Sequence, residues 1–69
     1  MGERIELRAF RVRRKLSQQE MADMLGVNRS TYAMVERGQR RGSDALWAKL
    51  HITFDVPDAD MWKLTQKEE

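Results

Sequence analysis

The stretch SQQEMADMLGVNRSTYAMVERGQR, Ser17 to Arg40, decides the fold. Ser17-Gln18-Gln19-Glu20 has the form of a capping box, in which the Ser17 hydroxyl accepts the third-position amide and the Glu20 carboxylate returns to the Ser17 amide, so a helix starts here. Met21, Ala22 and Leu25 share one face of that helix, and Gly26 ends it because glycine accepts the positive φ at which a helix stops and turns. Asn28 is a strong N-cap residue for a following helix that reaches Arg37 and is closed by Gly38. Tyr32 and Val35, three residues apart, form its inward pair, and the turn between the two helices is very short.

Outward from this pair the same helical spacing recurs. Leu7 and Phe10 stand three apart, with Arg11 one turn beyond Leu7, which predicts a first helix from about Arg4 to Arg14. Trp47, Leu50, His51 and Phe54 fall at i, i+3, i+4 and i+7, one apolar stripe on a helix that starts after Ser43. Pro57-Asp58 opens a short fifth helix with Met61 and Leu64 inward and Trp62 beside them. No segment alternates as a strand does, and no repeat, linker or low-complexity tract is visible. The expected architecture is all-α: one five-helix bundle over residues 1–65, followed by a frayed tail over 66–69.

Sixty-nine residues hold one domain at most and exclude a large enzyme core. With no Cys and a single His, His51, neither disulfides nor a thiolate- or His-based metal site can staple so small a chain, so its stability must come from packing. Apolar residues at 41% and charged residues at 35% suit a folded domain rather than a disordered chain, and no apolar run approaches the ~18 residues of a membrane span. The N-terminus lacks the pattern of a signal peptide, so a reduced, cytoplasmic setting is expected. Net charge is +2, but residues 1–41 hold ten basic and five acidic residues, a net of +5, and residues 42–69 hold three basic and six acidic, a net of −3. A basic half of this kind is the electrostatic footprint of a nucleic-acid site, with a solvated, salt-bridged surface as the alternative.

Two short helices joined by a tight glycine turn, inside five helices with a basic N-terminal half, make a helix-turn-helix arrangement. Over about residues 5–64 the chain resembles the phage-repressor and Cro-type, or XRE-type, DNA-binding domains. The likeness is carried by Leu16-Ser17-Gln18, Ala22, Leu25-Gly26-Val27, Arg29-Ser30-Thr31 and Glu36-Arg37-Gly38. The major groove admits an α-helix whose N-terminal residues reach base edges, which assigns the reading to about residues 28–37. With Tyr32 and Val35 inward, the outward positions Arg29, Ser30, Ala33 and Met34 are the candidate base readers, and they match the positions of the family's base contacts. Arg29 suits guanine O6 and N7, Ser30 bonds either kind of base, and Ala33 or Met34 packs on a thymine methyl. Met34 stands where many members carry a polar or charged side chain, which predicts apolar readout; the plain alternative is a packing methionine.

Phosphate contacts are expected from Gln18, Asn28, Thr31, Arg37, Arg40 and Arg41, which surround these positions. Gln18 lies at the start of the bracing helix, where free amides and the helix dipole favour an anion, and the resemblance implies this contact for it. Arg13, Arg14 and Lys15 read as solvated surface. Family members commonly pair the positions of Arg11 and Glu36, so a buried ion pair tying the first helix to the reading helix is expected. His51 replaces a small apolar residue of the family and reads as a packed, hydrogen-bonded histidine. Trp47, Phe54, Met61 and Trp62 occupy the family's Leu positions and read as core by default, though two tryptophans in so short a chain leave room for part of one to face a partner.

No catalytic triad, metal cluster or glycine-rich phosphate loop is present, so neither an enzyme nor a cofactor or small-molecule ligand is expected. The resemblance implies a sequence-specific, double-stranded-DNA-binding regulator, a repressor above all, working at the nucleoid of a bacterium or encoded by a phage or mobile element. The alternative is an antitoxin-like or adaptor subunit whose main role is to hold a protein partner. A homodimer is expected, since one reading helix covers only a few base pairs. The family's two-fold contact falls on Pro57-Asp58-Ala59-Asp60, where like charges would face each other; either the interface has moved toward Trp62 and Leu64, or the dimer forms only on DNA. Asp55 replaces the family's usual glycine after the fourth helix, so a different turn is expected there.

Overall fold

A computed structural model describes residues 2–68. They form five helices: α1 (Ile5–Arg13), α2 (Gln18–Leu25), α3 (Arg29–Glu36), α4 (Asp44–Thr53) and α5 (Asp58–Thr65). Three of them begin on side-chain caps. Ser17 Oγ accepts the Glu20 amide at 3.0 Å while the Ser17 amide donates to Glu20 Oε1 at 2.9 Å, completing the capping box. Asn28 Oδ1 accepts the Thr31 amide at 2.8 Å and Ser43 Oγ the Leu46 amide at 3.1 Å. Each cap contributes on the order of 1 kcal/mol, a material share for helices of eight to ten residues that are too short to stand alone in water.

The helices close because each lays apolar residues into one core. Leu7 and Phe10 come from α1, Met21, Ala22 and Leu25 from α2, Tyr32 and Val35 from α3, Leu46 and Leu50 from α4, and Leu64 from α5. Phe54, half-buried at the end of α4, meets Phe10 edge-on with ring centroids 5.3 Å apart. Val56 also enters the core, although it lies between helices and on no periodic stripe. The α4 stripe is only partly inward: Leu50 is fully buried, while Trp47 is half-buried and His51 reaches out to Asp58 at 3.1 Å.

Two expectations are corrected. Trp62 is not core; it is 66% exposed, because α5 turns Leu64 inward and the position two residues earlier falls on the opposite side. The turn after α4 keeps the glycine-like geometry, since Asp55 itself takes φ +50° and the Val56 amide returns to the His51 carbonyl at 3.1 Å. Aspartate is among the few residues that visit this left-handed region at modest cost. Beyond α5, Glu3 and Glu68 exchange two main-chain hydrogen bonds, at 2.8 and 2.6 Å, as an isolated antiparallel bridge. Glu69 lies outside the described residues.

This bridge brings the N-terminal segment across the end of α3. The Arg4 amide donates to the Glu36 carbonyl at 2.8 Å, and Gly2 passes directly over Gly38, which has φ +78°. A Cβ at residue 38 would overlap the Gly2 carbonyl oxygen, whereas a Cβ at Gly26, with a similar φ of +73°, would meet nothing within 4 Å. The two glycines therefore separate backbone conformation from crowding. Gly26→Ala is expected to cost about 1–2 kcal/mol, the penalty of a left-handed non-glycine residue. Gly38→Ala is expected to cost more, because the N-terminal segment must also move. Thermal melts of the two variants check this, with a clearly larger fall in Tm for Gly38→Ala.

Candidate nucleic-acid interface

The capped start of α3 sets which side chains point outward. Tyr32 and Val35 are fully buried, so Arg29, Ser30, Met34 and Arg37 are left on the far side, with Arg29, Ser30 and Arg37 exposed and Met34 half-buried. These four, Ala33 and Gln18 line one shallow depression between the start of α2 and the outer face of α3. Ala33 is more enclosed than its position on the helix suggests, at 8% exposure, so only a sliver of its methyl forms the floor. On the other flank of α3 a second depression is lined by Thr31, Arg40 and Arg41 together with Gly42 and Ser43. Asn28 is exposed, but its Oδ1 is committed to the cap, which leaves its amide NH2 as the group free to reach a ligand.

The segment after α3 is folded back on the helix. The Met34 carbonyl accepts the Gln39 amide at 2.8 Å and the Arg40 amide at 3.2 Å, so Arg40 and Arg41 stay beside the helix with their side chains exposed. Arg29 and Arg37 on the helix and Arg40 and Arg41 behind it thus place four exposed guanidinium groups around one surface. The depressions are open and carry no concentrated acid–base pair, an arrangement suited to a long, regularly charged ligand rather than an enclosed small one.

Beneath this surface lies a polar junction. Arg11 grips Glu36 with two bonds, Nε to Oε2 at 2.9 Å and Nη2 to Oε1 at 3.2 Å, and its third nitrogen donates to the Leu16 carbonyl at 2.8 Å. Gln18 Nε2 reaches the same carboxylate, donating to Oε1 at 3.3 Å. The side chains of Arg11 and Glu36 are 13% and 5% exposed, which makes this a largely desolvated pair. Burial pushes the Glu36 carboxyl up, but the bonds from Arg11 and Gln18 and the neighbouring Tyr32 together outweigh it and hold the group below its ordinary value. The Arg11 guanidinium is correspondingly held up, first by its bond to Glu36. The Tyr32 hydroxyl is buried at the same place without a well-formed hydrogen bond, and burial, then the Glu36 charge, keep the phenol firmly protonated. Glu36 therefore joins α1, α2 and α3 at one carboxylate.

A second arginine escaped the sequence reading. Arg4, only 4% exposed, inserts its guanidinium between the ends of α3 and α5. It donates to the carbonyls of Val35 at 2.6 Å, Arg40 at 2.8 Å, Arg41 at 3.1 Å and Thr65 at 3.1 Å. Burial draws its pKa below the ordinary arginine value. No sequence motif announces it, because its partners are main-chain carbonyls, which every residue supplies.

Residues 7–60 match the family model described as helix-turn-helix. The chain belongs to the XRE-type helix-turn-helix family. No curated protein matches it. The matched region runs from α1 into α5 and contains the whole of α2, the turn at Gly26 and α3, so the helix-turn-helix of this XRE-type domain is the α2–α3 pair. The family is one of DNA-binding regulatory domains. Among the described residues no helix is long and apolar enough to cross a membrane, and no group of three or more His, Cys, Asp or Glu is placed to hold a metal ion.

Removing one partner from the desolvated pair leaves the other charge stranded. Arg11→Ala is accordingly expected to cost about 3–5 kcal/mol in a denaturant titration, against at most ~1 kcal/mol for a solvent-exposed pair. The pH dependence follows from the lowered folded-state pKa of Glu36. Its contribution is complete above the ordinary carboxylate value of 4.5 and is lost as pH falls through the lower folded value. The stability gap between the parent and Glu36→Gln is thus expected to be widest near neutrality and to narrow below about pH 4.5 in paired melts.

Proposed function

We propose that this XRE-type domain is a sequence-specific transcriptional regulator of double-stranded DNA, acting as a repressor, with α3 inserted in the major groove. The observation that carries the reading is the depression shared by Arg29, Ser30, Ala33, Met34, Gln18 and Arg37. It sits on a helix whose inner face is fully buried and whose end is held by the Arg11–Glu36 pair, so its outward side chains are presented from a rigid base. Arg29 and Ser30, at the exposed start of the helix, read by hydrogen bonding, Arg29 to guanine above all. Met34 supplies apolar contact with a thymine methyl, and Ala33, being enclosed, adds only close approach. Gln18, Asn28, Thr31, Arg37, Arg40 and Arg41 bind phosphates on both sides of the groove and fix the register. Occupying the groove excludes other proteins from the same base pairs, which is why repression is the preferred outcome.

Two protomers on half-sites about 34 Å apart supply the rest of the sequence discrimination. Of the two side chains toward which the interface was expected to move, Leu64 is only 5% exposed and belongs to its own core, whereas Trp62 stands out from α5. Pairing through Trp62, in the free protein or on DNA, is the arrangement we favour. The setting this implies is the cytoplasm, where the nucleoid is reached directly. The competing role, holding a protein partner, draws on the same exposed Trp62 and on Ile52, which is 77% exposed.

A binding selection from random duplex DNA at two salt concentrations, repeated with Arg29→Ala, tests the reading. An inverted repeat is expected whose preference at one base relaxes in the variant at a cost of about 1–3 kcal/mol, with affinity falling steeply as salt rises. Recovery of no motif, with weak retention at both salts, would refute DNA reading and favour the partner-holding role.

A further inference from the structure

The guanidinium of Arg4 sits in a cage of carbonyl oxygens. Nε donates to Thr65, Nη1 to both Val35 and Arg40, and Nη2 to Arg41, four bonds between 2.6 and 3.1 Å that use all three nitrogens. Among the described residues no carboxylate pairs with it, so the site is built for a planar fork of donors rather than for a charge partner. Val35 and Thr65 lie in the last turns of α3 and α5, where the helix dipole favours a cation; the Val35 carbonyl also accepts the Gly38 amide at 3.1 Å. Arg40 and Arg41 lie in the segment after α3. The indole of Trp47 completes the cage: its ring faces the Arg4 guanidinium, 5.4 Å from the ring centroid, and its Nε1 donates to the Arg41 carbonyl at 3.3 Å. The Arg40 and Arg41 backbone is thus held from inside while both side chains remain exposed.

We infer that Arg4, enclosed and out of reach of DNA, is the positioning residue that sets the Arg40–Arg41 segment against the end of α3 and thereby controls phosphate binding by those two side chains. The DNA half of this inference rests on the proposed regulator function; the placement of the segment does not. Lysine keeps the charge but gathers its donors on one nitrogen, so it cannot span four carbonyls. Arg4→Lys should therefore loosen the segment selectively, whereas a residue that serves stability alone would lower Tm and leave the segment as ordered as the helices.

The test uses the full chain in four versions: the parent, Arg4→Lys, Arg40→Ala/Arg41→Ala, and the triple combination. Backbone 15N order parameters without DNA and the slope of log affinity against log salt on the selected duplex are measured for each. In Arg4→Lys the order parameters at residues 39–42 are expected to fall while those of α2 and α3 hold. The salt slope should shrink by about 0.9 for each phosphate no longer neutralised, toward that of the double alanine variant, with base preference unchanged. Adding Arg4→Lys to the double alanine variant should then leave the slope where it is, because the effect runs through the side chains already removed. Unchanged order and slope in Arg4→Lys, or slope losses that add, overturn the inference. Should Arg4→Lys not fold, Trp47→Phe removes one bond to Arg41 and keeps a ring, and must show the same loosening to a smaller degree; unchanged order there overturns the inference equally. If the parent shows no salt-dependent duplex binding, the proposed function and the DNA half fall together, and the order parameters still decide whether Arg4 places the segment.

Discussion

The last turn of α3 carries a buried carboxylate and main-chain carbonyls left with only turn bonds from the residues that follow, and donors must reach both. Two arginines from the start of the chain do so. Arg11 takes the Glu36 carboxylate with a two-pronged bond, and Arg4 takes the Val35 carbonyl and, with the same guanidinium, the carbonyls of Arg40 and Arg41. A desolvated charge is costly when it is alone and tolerated when hydrogen-bond partners surround it. The result is a junction placed where α3 meets the rest of the bundle.

That placement matters because the apolar core is small. Eleven buried residues drawn from five helices and the Val56 linker are enough to close the bundle, and they lie on the inner side of α3. The Arg40–Arg41 segment and the end of α3 are held by polar bonds with definite directions. Gln18 links the start of α2 to the same carboxylate, so the two helices of the motif share an anchor as well as apolar contacts. The end of α3 and the segment after it are thus tied by directed hydrogen bonds, and the inner face of α3 by burial.

The uneven charge of the chain resolves into two different uses. The exposed basic residues Arg29, Arg37, Arg40 and Arg41 surround α3, while the acids of the second half include Asp44 in the first turn of α4 and Asp58 and Asp60 in that of α5. Carboxylates at these positions oppose the positive end of the helix dipole and stabilise the helices that carry them. Three of the acids thus serve their own helices, while the basic residues divide between Arg4 and Arg11, turned inward, and the four around α3, left facing outward.

The features readable in the sequence are those made by neighbours in the chain. The capping box at Ser17, the Asn28 and Ser43 caps, the glycine stops and the spacing of Leu7, Phe10, Met21, Leu25, Tyr32 and Val35 all act over three to five residues, so residue type and spacing specify them. The Arg11–Glu36 pair was legible only through resemblance to a family. Tertiary structure alone decided the rest: that Trp62 faces out, that Ala33 is enclosed, that Val56 enters the core, that the two ends of the chain pair at Glu3 and Glu68, and that Arg4 is buried. The bonds of Arg4 span 31 to 61 residues and end on main-chain oxygens. Such bonds leave no pattern in the sequence, because any residue provides a carbonyl and only the packed helices determine which ones converge.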